Sequence, residues 1–308
     1  MINVYEAQTA NKRKSAIIIA LFIVFVTVAV YVISQSFALY LGYEPGGLGV
    51  AGLALIISGL MSFVSYYFSD RIVLTISGAR PADRRLDFNF YTVAENLAIA
   101  SGLPKPRLYV IEDTATNAFA TGRDPDHAVI CATSGILSKL NRTELEGVIA
   151  HELSHIKNYD IRLMSIVAVL VGMVALLGDI FLRTSFRGGR SDRRGNQAAA
   201  LFLILGIIFA ILSPIIAQLI QLAVSRRREF FADASAVSIT RQPDGLISAL
   251  EKISADHEPL EAANKATAHL YIVNPFKEKG HGAVDWFASL FNTHPPIEER
   301  IKTLKSMV

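Results

Sequence analysis

The sequence predicts a mainly helical α+β protein that crosses a membrane several times. It also predicts a metal-centred polar domain that a hydrophobic hairpin splits in two. Three observations carry this reading. Four windows are long and apolar enough for a bilayer, the polar segments between them mix short strand patterns with amphipathic helices, and one helix sets two histidines four residues apart with a glutamate beside the first.

The four windows come first. Of 308 residues, 52% are hydrophobic and 19% charged, where a soluble domain carries roughly 25% charged residues. With mean hydropathy +0.38 and a net charge of only +3, disorder and nucleic-acid binding lose ground. The mild positive balance suits Lys/Arg flanks of membrane segments. A spanning helix needs about 20 mostly apolar residues. Residues 15–43, 45–69 and 195–225 are free of charge, and 163–182 is interrupted only by Asp179. Residues 1–69 are therefore expected to form an N-terminal transmembrane hairpin, with spans near 16–36 and 47–67. Residues 163–225 are expected to form a second hydrophobic hairpin, near 163–182 and 199–224. The first window is longer than a signal-peptide core and lacks a small-residue cleavage site, so it reads as a retained anchor.

Charge sets the orientation. Lys12, Arg13 and Lys14 precede the first span, Glu44 alone marks the loop after it, and Arg71, Arg80, Arg84 and Arg85 follow the second. By the positive-inside rule the N-terminus and the chain after residue 70 are cytoplasmic. Five arginines between the last two windows (183, 187, 190, 193 and 194) run against that rule, so that hairpin either crosses despite them or is only partly inserted.

The polar segments 70–162 and 226–308 are together large enough for one compact domain. The first reads as a helix over 86–102, stopped by Gly102, Leu103 and Pro104, then strands over 107–112, 116–122 and 127–132, then helices. The second reads as mainly helical. The single cysteine, Cys131, lies in an apolar run, reads as a core thiol, and excludes both an intrachain disulfide and a cysteine-based zinc site.

Residues 143–159 read TELEGVIAHELSHIKNY. Thr143 with Glu146 fits a capping box, which would start a helix there. On that helix His151 and His155 share a face and can bind one zinc ion, with Glu152 beside the first ligand as general base. With 7 histidines in the chain, an accidental HExxH has a chance of only about 1%. A third ligand is required. The metzincin continuation is excluded, because Asn158 and Ile161 stand where its Gly and His would be. A carboxylate on a second helix is the alternative, and Glu229 in SRRREFFADASAV is the best candidate. Asp233, one turn on, could accept a hydrogen bond from the free ring nitrogen of a metal-bound histidine. Shared ligation by His155 and Glu229 requires the hydrophobic block between them to cross the membrane twice or not at all. The arginines at 226–228 read as topology signals, and His127, His257, His269 and His281 lack ligand spacing.

HELSH followed by EFFAD, four hydrophobic segments and a C-terminal NTHPPIEER resemble the HtpX-type heat-shock membrane proteases, over nearly the whole chain and in the family's order. The resemblance implies a gluzincin-like fold and one Zn²⁺ per chain. It implies a multi-pass enzyme of a bacterial inner (plasma) membrane, with its catalytic domain in the cytoplasm. Its substrates would be unfolded or damaged membrane proteins met under stress, in contact with the lipid bilayer. Asn117, Ala118 and Phe119 resemble the strand beside the cleft in these enzymes and would take an extended substrate by strand addition, unless they form an ordinary hairpin strand. Thr293, His294, Pro295 and Pro296 with Arg300 resemble the family's HPP motif. His294 is the first candidate for the donor that stabilises the oxyanion, with Arg300 the second and a substrate contact. A rival role for His294 is to occupy the open metal position at rest. Two other functions stay open at this point: a CAAX-type protease of prenylated proteins, and a silent membrane scaffold that keeps a zinc site. Oligomeric state is open as well.

Overall fold

The computed structural model describes residues 4–41, 48–169, 226–256, 258–261, 267–272 and 295–307. Two long helices open the chain, α1 (Val4–Leu41) and α2 (Leu48–Ile76), and they pack against each other. They contain most of the two N-terminal windows, although 42–47 and several side chains of each window lie outside the described ones. Among the described residues no helix is long and apolar enough to cross a membrane. Leu21, Val24 and Val28 on α1, and Leu53, Ile56, Leu60 and Phe63 on α2, are exposed. Of the second hairpin, 170–225 lies outside the described residues.

Among the described residues a four-stranded sheet follows: β1 (Arg80–Pro81), β2 (Arg107–Ile111), β3 (Ala118–Thr121) and β4 (Val129–Thr133), in the order β1-β2-β4-β3. β2 and β4 run parallel with Leu108 opposite Ile130, while β3 pairs antiparallel to β4 with Phe119 opposite Cys131. β1 was not anticipated, since two residues carry no periodicity. Helix α3 (Phe88–Ser101) precedes β2 and stops where the sequence said, at Gly102, whose φ of 68° is the left-handed turn that favours glycine.

After β4 come α4 (Ser134–Lys139) and α5 (Arg142–Lys157). The start of α5 corrects the expected capping box. Asn141, not Thr143, is the cap: its side chain accepts from the Glu144 N–H, and the Glu144 carboxylate accepts from the Asn141 N–H. Asn caps at least as well as Thr, and its box closes one half-turn earlier. A turn at Tyr159, φ 59°, leads into helical backbone over 160–169. Among the described residues the remaining α-helices are α6 (Arg226–Thr240), α7 (Pro243–Ala255) and α8 (Ile297–Lys305).

Both faces of the sheet are covered. Leu108, Val110, Ile130 and Ala132 share one core cluster with Phe90 and Val93 of α3 and Val148 of α5, and this cluster extends to Leu250 of α7. Ile111, Phe119, Val129 and Cys131 face the other way, toward Val73, Leu163, Val167 and Tyr271. Burial on both sides explains why β4 reads as an unbroken apolar run. α7 crosses α5 so closely that a Cβ on Gly147 would lie 2.6 Å from the Leu246 backbone nitrogen. Cys131 is fully buried, and burial pushes its thiol pKa up, so it is an inert core residue.

Candidate metal centre

Helix α5 carries His151, Glu152 and His155, all buried. The i,i+4 spacing puts both imidazoles on one face, as the motif requires. Helix α6 packs across that face and brings Glu229 and Asp233, also one turn apart and buried. The two Nε2 atoms lie 3.2 Å apart. Glu229 Oε2 is 3.6 Å from His151 Nε2, and Oε1 is 3.6 Å from His155 Nε2. His151, His155 and Glu229 can offer ligand atoms that all lie within 4.8 Å of one another.

The donor set fits zinc. Metal–ligand bonds of about 2.0–2.2 Å at tetrahedral angles would hold neighbouring ligand atoms about 3.4 Å apart. The far side of each ring supports the same assignment. His151 Nδ1 lies 2.9 Å from Asp233 Oδ1, and His155 Nδ1 lies 3.0 Å from Asp160 Oδ2. A carboxylate at each Nδ1 places the proton there and leaves both Nε2 lone pairs turned to the shared point.

The electrostatics favour positive charge at that point. Burial and the Arg300 guanidinium press His151 toward its neutral form, yet the bonds to Asp233 and Glu229 outweigh them and raise its pKa to about 9. Burial would raise Asp233, but Arg300 and His151 hold it at about 2. The carboxylates around His151 thus stabilise its protonated form.

Of the residues singled out from sequence, the structure brings His151, Glu152, His155, Glu229 and Asp233 together. Arg300 is also at the centre, but not on a substrate-facing surface as expected. It is fully buried and donates to Asp233 through Nε at 2.9 Å and Nη2 at 2.6 Å. Nη1 lies 3.7 Å from Glu229, and Nη2 lies 3.3 Å from His151 Nδ1. It is placed there by α8, which packs onto α6 and α7.

Among the described residues β3 is an edge strand, as strand addition would need. Its outer groups at Ala118 are taken by the chain itself, however. The Ala118 N–H donates to Asn117 Oδ1 at 3.1 Å, and its carbonyl accepts from Ile272 N–H at 3.0 Å. The Phe119 ring packs edge-on against Tyr271 at 5.1 Å inside the core. His294 lies outside the described residues.

Three residues at the centre escaped the sequence reading. Asp160 meets His155, Arg228 Nη1 reaches Asp160 Oδ1 at 3.2 Å, and Asn11 of α1 donates to the same oxygen at 2.7 Å. A carboxylate five residues after a ligand histidine was the available signal for Asp160. The turn at Tyr159 that lets it reach back left no mark in the pattern. Arg228, read as a topology charge, is an ion-pair partner.

Residues 87–308 match the sequence pattern of peptidase family M48. Over 306 residues the chain is 44% identical to a protein named "Protease HtpX homolog" from Caldanaerobacter subterraneus subsp. tengcongensis, which covers 98% of this chain and 97% of the relative. A protein of the same name from Thermoanaerobacter pseudethanolicus is 45% identical over the same span. The solved structure of Ste24p from S. mikatae is 17% identical, covering 98% of this chain and 66% of that one with a TM-score of 0.46.

Proposed function

The chain belongs to peptidase family M48, with relatives named HtpX homologs across almost its whole length, and on that premise we propose that it is a membrane-held zinc endopeptidase. The observation that carries the zinc assignment is the convergence of two Nε2 atoms and the Glu229 carboxylate, at 3.2 and 3.6 Å, with each Nδ1 held by a carboxylate.

His151, His155 and Glu229 would hold the ion. When bound, zinc supplies a Lewis acid for the scissile carbonyl and brings the pKa of water toward 7. Glu152, buried beside His151, takes a proton from the attacking water and passes it to the leaving amine. Asp233 fixes the His151 ring, and Arg300 balances the carboxylates of Asp233 and Glu229. His294 is the proposed donor to the oxyanion. An extended substrate would align along β3, which requires it to compete with Ile272 for the Ala118 carbonyl.

Helices α1 and α2 expose apolar side chains along their described length, which supports insertion in a lipid bilayer. The Lys/Arg flanks then put the metal centre on the cytoplasmic side, and 226–308 forms the second part of the catalytic domain begun by 70–162. An enzyme so placed meets damaged or misfolded membrane proteins, and these are its proposed substrates.

The test uses wild type and Glu152→Gln purified in detergent with a chelator, given zinc back, and assayed on unfolded casein. Cleavage by wild type only with zinc, and zinc binding without cleavage by the variant, is expected. Cleavage that persists in Glu152→Gln would reject the general base, and absence of zinc binding by wild type would reject the ligand set.

A further inference from the structure

We infer that Asn11 on the N-terminal helix is a positioning residue for the metal centre, acting through Asp160 on His155. The inference rests on the zinc reading above and deepens it: it links how α1 is seated to how tightly the site holds its ion.

Asn11 is 2% exposed, an unusual burial for an amide near the start of a chain. Its Nδ2 donates to Asp160 Oδ1 at 2.7 Å and to the Asn158 carbonyl at 3.0 Å. Arg228 Nη1 approaches the Asn11 Oδ1 at 3.5 Å and Asp160 Oδ1 at 3.2 Å. The other Asp160 oxygen meets His155 Nδ1 at 3.0 Å. One carboxylate therefore has an oxygen on the ligand histidine and an oxygen held by α1 and α6. Asp233 does the same for His151, but its second support is Arg300 on α8. The two ligand histidines thus answer to different ends of the chain.

The physical consequence follows from how such partners act. A carboxylate on the distal nitrogen fixes the ring tautomer and orientation and raises the basicity of the ligating nitrogen. It does so only while its own orientation is held. Removing the Asn11 amide leaves Asp160 Oδ1 with one fewer donor in a buried place, where a lost hydrogen bond is costly. The carboxylate then turns to recover a partner, and the His155 ring loses its fixed orientation. Lys12 stacks over the Tyr159 ring at 4.1 Å, so α1 also grips the turn that brings Asp160 back to His155. A shift of α1 against α5 is in this way transmitted to a metal ligand.

The experiment measures zinc affinity of the full-length chain in detergent, by competition with a chromophoric chelator, and the thermal unfolding midpoint without metal. The variants are Asn11→Ala, Asp160→Asn, the double variant, and Ser15→Ala as a control. Ser15 is buried on the next turn of α1, and among the described residues its hydroxyl bonds back to the Asn11 carbonyl, at 2.9 Å. Asp160→Asn is expected to weaken zinc binding roughly 10–100-fold and Asn11→Ala about tenfold. The double variant should match Asp160→Asn within about twofold, because Asn11 acts through Asp160. Ser15→Ala should keep wild-type affinity. Asn11→Ser, which retains a shorter donor, should fall between wild type and Asn11→Ala, and it serves if Asn11→Ala does not fold. Wild-type zinc affinity in both Asn11 variants would overturn the inference while leaving the metal site standing. So would losses that multiply in the double variant. A wild type that binds no zinc would overturn the metal reading and the inference with it.

Discussion

Arg300 is the largest side chain that is completely buried among the described residues, and a guanidinium in such a place is stable only with paired carboxylates around it. Its two bonds to Asp233, at 2.6 and 2.9 Å, and the Glu229 charge beyond them, hold its pKa above the ordinary arginine value against the pull of burial. On the proposed ligand set, this makes Arg300 a support of the cage rather than a hand extended to substrate. Arg300→Met should therefore destabilise the metal-free chain by about 3–5 kcal/mol, because Asp233 is left charged and buried. Adding Asp233→Asn to it should restore part of that loss. Denaturant unfolding in detergent with chelator present checks both. If Arg300→Met instead kept its stability and only raised KM, Arg300 would be a substrate contact, as the sequence motif had implied.

At the scale of elements, the segment leading into β3 is pinned by the end of α7. Asp256, at the C-cap of that helix, accepts from the Thr116 N–H at 2.9 Å, the Thr116 hydroxyl at 2.8 Å and Lys139 Nζ at 2.9 Å. Burial works against the charged form, but Lys139, the Glu258 N–H and Thr116 prevail and hold its pKa well below the usual carboxylate range. In the unfolded chain the group returns to about 4. The unfolded state then binds the proton more readily, so stability rises with pH over this range. The contribution is complete above the unfolded value, and it fades as pH falls below it toward the depressed folded value. Unfolding midpoints taken between pH 6 and pH 3 (roughly spanning the unfolded carboxylate range) should drop for wild type and drop less for Asp256→Asn. Parallel curves for the two would show that Asp256 does not anchor this junction.

Across the whole molecule, what could be read in advance was what neighbours in sequence decide. The HELSH face, the apolar β4 run and the Gly102 stop are local, and each was legible. The parallel pairing of β2 with β4 was not, because β3 comes between them in sequence and lies outside β4 in the sheet. Asn141 and Thr143 both fit a capping pattern, and only the backbone chose between them. The proposed supports of the candidate metal centre, Asn11 and Arg300, lie far apart in sequence from the histidines they serve, and contacts across such separations leave no period to find. The ligands themselves repeat the point, since His155 and Glu229 lie on either side of the hydrophobic block. An ion held by the proposed ligands on α5 and α6 would close that long excursion and would bind the folded chain alone. Free zinc at 100 times its Kd should add about 2.7 kcal/mol to stability. Chelation should therefore lower the unfolding midpoint of wild type and of Glu152→Gln by the same amount, since Glu152 is not a ligand. Glu229→Ala should begin near the chelated value and not respond. A full response in Glu229→Ala would place the third ligand elsewhere. No response in Glu152→Gln would make Glu152 itself part of the metal's coordination.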